Sequence, residues 1–151
     1  MTAETARHAN LFGDAAHDAG EQRRVLIVDD EAAILFAYRR LIEGGGYVVD
    51  ACGTLVEAVE HIMSHPYFAV ITDLRLTGND ADGLAVLTYV RTRQPGARVI
   101  VVTGYDGEES ARAAFALEVS FYFRKPLEPS VILEALRHLR EDEKTGNRRA
   151  A

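Results

Sequence analysis

Val25-Leu26-Ile27-Val28-Asp29-Asp30 sets a run of four branched aliphatic residues against two adjacent acids. Four such residues are strand length rather than helix length. An apolar run without polar alternation fits a strand buried on both faces, the usual state of a parallel sheet. After the acids the period changes. Ile34, Leu35, Tyr38, Leu41 and Ile42 recur at helical spacing, and Gly44-Gly45-Gly46 ends the helix.

The same unit recurs along the chain. A weaker strand covers Tyr47 to Ala51. Thr54 and Glu57 then form a capping box that opens a helix with Leu55, Val56, Val59, Ile62 and Met63 on one face, closed by Pro66. The third strand, Phe68 to Thr72, ends at Asp73. A polar loop from Thr77 to Ala81 leads into a helix from about Asp82 to Arg93, ended by Pro95-Gly96. The fourth strand, Val99 to Val102, stops at Thr103-Gly104 and is followed by a helix around Ser110 to Leu117. The fifth strand, Val119 to Phe123, runs into Arg124-Lys125-Pro126. Pro129 suits the first turn of a last helix that turns Val131, Ile132, Ala135, Leu136 and Leu139 inward. Strict β-α alternation predicts an α/β fold: a mostly parallel sheet with helices on both faces.

The remainder of the 151 residues bounds the answer. The length suits one domain, and 48% hydrophobic residues supply a core. Residues 1–22 are polar and alanine-rich and are expected to form a flexible tail, with the ordered domain at 23–140. Residues 141–151, EDEKTGNRRAA, are expected to fray. A net charge of −6 offers no electrostatic footprint for nucleic acid. No apolar stretch reaches membrane-spanning length, and the N-terminus lacks the basic start and apolar run of a secretory signal. The single cysteine, Cys52, excludes an intrachain disulfide and reads as a small apolar filler. A cytoplasmic protein is expected.

The chemistry collects at strand ends. The first strand ends in Asp29 and Asp30, the third in Asp73, the fourth in Thr103 and the fifth in Lys125. In a parallel sheet the C-terminal ends share one edge, where such folds bind ligands. Three carboxylates in one pocket repel one another, and burial raises their pKa values. Lys125 offsets one charge, and a divalent cation would offset the other two. Mg²⁺ suits an all-oxygen set of one or two carboxylates with phosphate. His61 and His65 lie four apart on the second helix, but with no third ligand nearby they read as a solvated face. No G-x-x-x-x-G-K-[ST] phosphate loop is present.

These residues carry a resemblance. The acidic pair in VLIVDDE, the aspartate in AVITDL, the hydroxyl in VIVVTG and the lysine-proline in FYFRKPLEP, in this order and spacing, resemble the receiver domain of two-component response regulators over about Arg23 to Arg140. The resemblance implies a flavodoxin-like, doubly wound fold with a five-stranded sheet in the order 2-1-3-4-5. It implies Asp73 as phosphoacceptor, fed by a sensor histidine kinase or a histidine phosphotransfer protein. It implies Mg²⁺ held by Asp30, Asp73 and the Arg75 backbone carbonyl, with Asp29 acting largely through water. Thr103 and Lys125 would each hold a phosphoryl oxygen, and Tyr122 would change rotamer on activation. An ordinary packed strand tyrosine is the alternative reading of Tyr122.

The chain departs from that pattern after Asp73. A proline is usual four residues on, where Thr77 stands, and the loop is longer, so Asp82-Gly83 falls later. With about a dozen residues after the last helix, a stand-alone receiver is expected, monomeric or dimerising on phosphorylation. Its output would be binding of a downstream protein. A phosphorelay intermediate or phosphate sink, and a Mg²⁺-dependent phosphohydrolase, are the alternatives. The last of these usually needs an acid two residues after its nucleophile, where this chain has Arg75.

Overall fold

The computed structural model describes residues 22–104 and 107–150. Residues 1–21 of the expected N-terminal tail lie outside the described residues. Five strands and five helices alternate: β1 (Arg24–Val28), α1 (Ala32–Gly44), β2 (Val48–Cys52), α2 (Leu55–Ser64), β3 (Ala69–Thr72), α3 (Asp80–Arg93), β4 (Arg98–Thr103), α4 (Glu108–Ala116), β5 (Phe121–Arg124) and α5 (Pro129–Ala150). All neighbouring strands pair in parallel, in the order β2-β1-β3-β4-β5. The expected flavodoxin-like topology is the one observed.

The apolar runs divide their side chains between two cores, because successive strand residues point to opposite faces. Val25 and Ile27 of β1 join Ile71, Ile100 and Val102 beneath α1 and α5, where Tyr38, Ile42, Ile132, Leu136 and Leu139 meet them. Leu26 and Val28 join Val70, Val99 and Val101 beneath the other three helices, against Ala58, Ile62, Val86, Leu87, Val90 and Ala114. Helices cover both faces of the sheet, which is why the strands need no alternation.

Local signals set the boundaries. The Thr54 side chain accepts the Glu57 amide at 3.2 Å, and the Glu57 carboxylate takes the Gly53 amide at 3.1 Å, so the capping box forms. Gly46 follows α1 with φ +99°, a conformation that favours glycine.

Several element ends differ from expectation by a residue or two, and one helix differs by more. Helix α3 begins at Asp80, two residues early, because the Asn79 side chain caps it by accepting the Ala81 amide at 2.9 Å. Helix α5 does not stop at Arg140 but continues to Ala150. The first added residues, Glu141 to Lys144, include the good helix formers Glu and Lys. They are also tied to the sheet, with Glu143 3.0 Å from Arg23 and Asp142 4.0 Å from Arg98.

Candidate functional site

The strand order reverses at β1, and the crevice beyond the C-terminal ends of β1 and β3 is where this topology places ligands. Three backbone bonds carry the sheet ladder one residue past the strands. The Asp29 amide donates to Cys52 O at 3.0 Å, the Asp73 amide to Val28 O at 3.0 Å, and the Lys125 amide to Thr103 O at 2.9 Å. The reactive residues are thus fixed by the sheet rather than by loops.

Asp73 is addressed at both oxygens. Its Oδ1 accepts the Thr103 hydroxyl at 2.7 Å and the Arg75 amide at 3.1 Å. Its Oδ2 accepts Lys125 Nζ at 2.8 Å. The same ammonium stands 2.9 Å from Asp29 Oδ2 and 2.8 Å from Glu31 Oε1. Asp29 Oδ1 accepts the Glu31 amide at 2.9 Å. Burial opposes the charge on Lys125, but the hydrogen bonds to Asp73, Glu31 and Asp29 outweigh it and hold the ammonium well above its ordinary range. Burial raises the Asp29 carboxyl, against the lowering effect of Lys125 and the Glu31 amide.

The residues singled out in the sequence converge. Asp29, Asp30 and Asp73 each offer a carboxylate oxygen within 4.8 Å of the others, the one such metal-capable group among the described residues. Asp29 and Asp73 are buried, while Asp30 is exposed. An all-oxygen, acidic donor set of this kind fits a hard divalent cation. Thr103 is buried, and Arg75 contributes its amide to Asp73 from an exposed position. Tyr122 is half-buried one strand over, its ring stacked on Phe115 at 5.3 Å between centroids. His61 lies instead beside Asp50, at 4.0 Å. Cys52 is buried and its thiol is pushed up to about 12, which suits a filler and not a nucleophile.

Three contributors were not legible as site residues. Glu31 joins the Lys125 cluster from the position after the acidic pair. Thr77, where proline was expected, has φ +51°, which a proline ring forbids, and its amide donates to Asp30 Oδ2 at 2.9 Å. Gly83 packs directly on the backbone following Asp73. A Cβ there would lie 2.3 Å from both Asp73 O and Leu74 Cα.

Comparison with known proteins agrees with this geometry. The family model described as the response regulator receiver domain matches residues 25–137. Photosynthetic apparatus regulatory protein RegA of Rhodobacter capsulatus is 37% identical over 121 residues, covering 79% of this chain and 64% of RegA. A CheY-like receiver domain protein from Methanospirillum hungatei JF-1 superposes with a TM-score of 0.77 at 31% identity, over 83% of this chain and 99% of that one. A Burkholderia pseudomallei response regulator solved with a phosphorylated aspartic acid, calcium ion and citrate gives a TM-score of 0.69 at 25% identity, over 83% of this chain and 75% of that one. The chain spans 59% to 67% of the length of its relatives of the RegA and acid-tolerance regulator type. Among the described residues no helix is long and apolar enough to cross a membrane. Fold, site and family match together show that the chain belongs to the response regulator receiver domain family of two-component systems.

Proposed function

We propose that the chain is a phosphorylation-driven switch that accepts a phosphoryl group on Asp73 from the phosphohistidine of a sensor kinase or histidine phosphotransfer protein. A carboxylate oxygen of Asp73 forms a bond to phosphorus as the phosphorus–nitrogen bond breaks. The bonding pair leaves with the imidazole nitrogen, which takes up a proton, and an acyl phosphate remains on the protein. Such a transfer needs chiefly alignment and charge stabilisation.

The supporting observation is the division of labour around Asp73. Thr103 and the Arg75 amide orient Oδ1, while Lys125 holds Oδ2. In the product Thr103 and Lys125 would each bond a phosphoryl oxygen. Asp29, Asp30, Asp73 and the Arg75 carbonyl would hold Mg²⁺, whose charge offsets that of the carboxylates and of the phosphoryl oxygens. Autodephosphorylation would use the same groups, with no separate external substrate. The output would be a change in affinity for a partner protein in the cytoplasm, read from the face bearing Tyr122.

Incubation with a small acyl phosphate, with and without Mg²⁺, tests this reading. A Mg²⁺-dependent label that hydroxylamine removes is expected. Continuous turnover of a simple phosphate ester, without a trapped acyl phosphate, would contradict it in favour of a phosphohydrolase.

A further inference from the structure

Glu31 holds the N-cap position of α1, yet its side chain makes no capping bond. Ser, Thr, Asp and Asn serve that role best, because their short side chains reach back to the first-turn amides. Here the backbone begins the helix instead, with the Ile34 and Leu35 amides donating to Glu31 O at 3.0 and 3.1 Å. The carboxylate turns away from its own helix and meets Lys125, 94 positions along the chain, at 2.8 Å.

That contact completes a set. A lysine ammonium has three donors and no more. Lys125 Nζ faces three carboxylate oxygens, those of Asp29 at 2.9 Å, Glu31 at 2.8 Å and Asp73 at 2.8 Å. A phosphoryl oxygen can bond this ammonium only if one of the three gives way. The Asp29 and Asp73 side chains are 4% and 8% exposed and are held by further bonds to the Glu31 amide and the Arg75 amide. The Glu31 side chain is 61% exposed, so by swinging into solvent it gives up only an exposed ion pair, which is worth little.

We infer that Glu31 is a place-holder: its carboxylate occupies the Lys125 donor that an incoming phosphoryl oxygen takes, and it yields to solvent when that anion arrives. Glu31 is on this account a positioning residue that acts through Lys125. It sets how strongly the site resists phosphoryl-like anions and leaves the bond-making step unchanged. The inference rests on the reading of Asp73 as phosphoacceptor.

The test compares wild type, Glu31→Gln and Glu60→Gln in Mg²⁺. Glu60 is exposed on α2, so its neutralisation controls for net charge alone. Beryllofluoride, a phosphoryl mimic, is titrated while the Thr103 amide resonance is followed. Labelling rates are then measured against the concentration of a small acyl phosphate. Glu31→Gln should lower the beryllofluoride midpoint and the half-saturating donor concentration by roughly two- to five-fold, as loss of one exposed ion-pair competitor allows. Its maximal labelling rate and thermal midpoint should match wild type, and Glu60→Gln should leave both midpoints unmoved. An unchanged or raised midpoint in Glu31→Gln, or an equal drop in Glu60→Gln, would overturn the inference while wild type still labels. Wild type that neither binds beryllofluoride nor labels would remove the acceptor reading, and the inference with it.

Discussion

Thr103 Oγ1 donates to Asp73 Oδ1 at 2.7 Å, joining the ends of β4 and β3 across 30 positions of sequence. The hydroxyl therefore already stands at the Asp73 carboxylate. On the proposed reading, phosphorylation of Asp73 would add negative charge and new acceptor oxygens there, so the hydroxyl would redirect its bond rather than travel far. On the same reading the change would be passed to β5, where the Tyr122 ring stacks on Phe115.

Chemistry and signalling should separate on this account. Thr103→Ala should still accept phosphoryl, because Asp73, the metal ligands and Lys125 remain. It should lose most of the resulting amide-shift changes over α4 and β5. Tyr122→Ala should behave likewise for want of the ring. The lost coupling is expected to be ~1–3 kcal/mol in partner affinity. A full response in verified phosphorylated Thr103→Ala would place the signal on another route.

Gly83 lets α3 lie against the backbone that follows Asp73. Its amide donates to Leu74 O at 3.0 Å, and no side chain fits between. Gly83→Ala must push the Asp73–Leu74 backbone aside, since the clashing atoms are main chain. The expected cost is about 1–3 kcal/mol of stability, with slower labelling of Asp73. A melt and a labelling rate equal to wild type would refute the close packing.

Thr77 shows why this loop lacks the expected proline. Its left-handed φ and its amide bond to Asp30 are both closed to a proline. Thr77→Pro should lower stability by more than about 1 kcal/mol. It should also weaken divalent-cation affinity by releasing Asp30, measured by titration calorimetry. Unaltered cation affinity in a folded Thr77→Pro would mean that the amide does not position Asp30.

A second polar cluster away from the site contributes its own pH dependence. Asp50 Oδ2 accepts Tyr67 Oη at 2.6 Å and Arg24 at 2.7 Å. Burial raises the Asp50 carboxyl, but these two bonds and the nearby Arg24 charge outweigh it and hold it below its ordinary 3.8. The folded state therefore binds the proton less readily than the unfolded chain. The stability that results is complete above 3.8 and is lost as the pH falls through the lower folded value. Asp50→Asn should cost about 1–2 kcal/mol near neutrality and progressively less in acid. A deficit that is constant with pH would contradict the assignment.

The sequence carried the fold because each strand run stops at a chemically distinct residue. Parallel pairing then leaves Asp29, Asp73, Thr103 and Lys125 no choice but one edge. Glu31 was hidden because a glutamate opening a helix looks like ordinary first-turn acid, and its contact spans the whole domain. Thr77 and Gly83 act through backbone geometry, which residue type announces only weakly. The last turns of α5 read as a tail because their anchors, Arg23 and Arg98, lie far back in the chain.

The central claim is that Asp73 carries the phosphoryl group. Wild type and Asp73→Asn should be incubated with an acyl phosphate in Mg²⁺ and assayed for hydroxylamine-sensitive phosphoryl by intact-mass spectrometry. Asn keeps the shape of the side chain and removes the charged nucleophile, so the site should remain folded. The account predicts a single phosphoryl group on wild type and none on Asp73→Asn. Undiminished, acid-stable labelling of Asp73→Asn would contradict it and put the acceptor elsewhere.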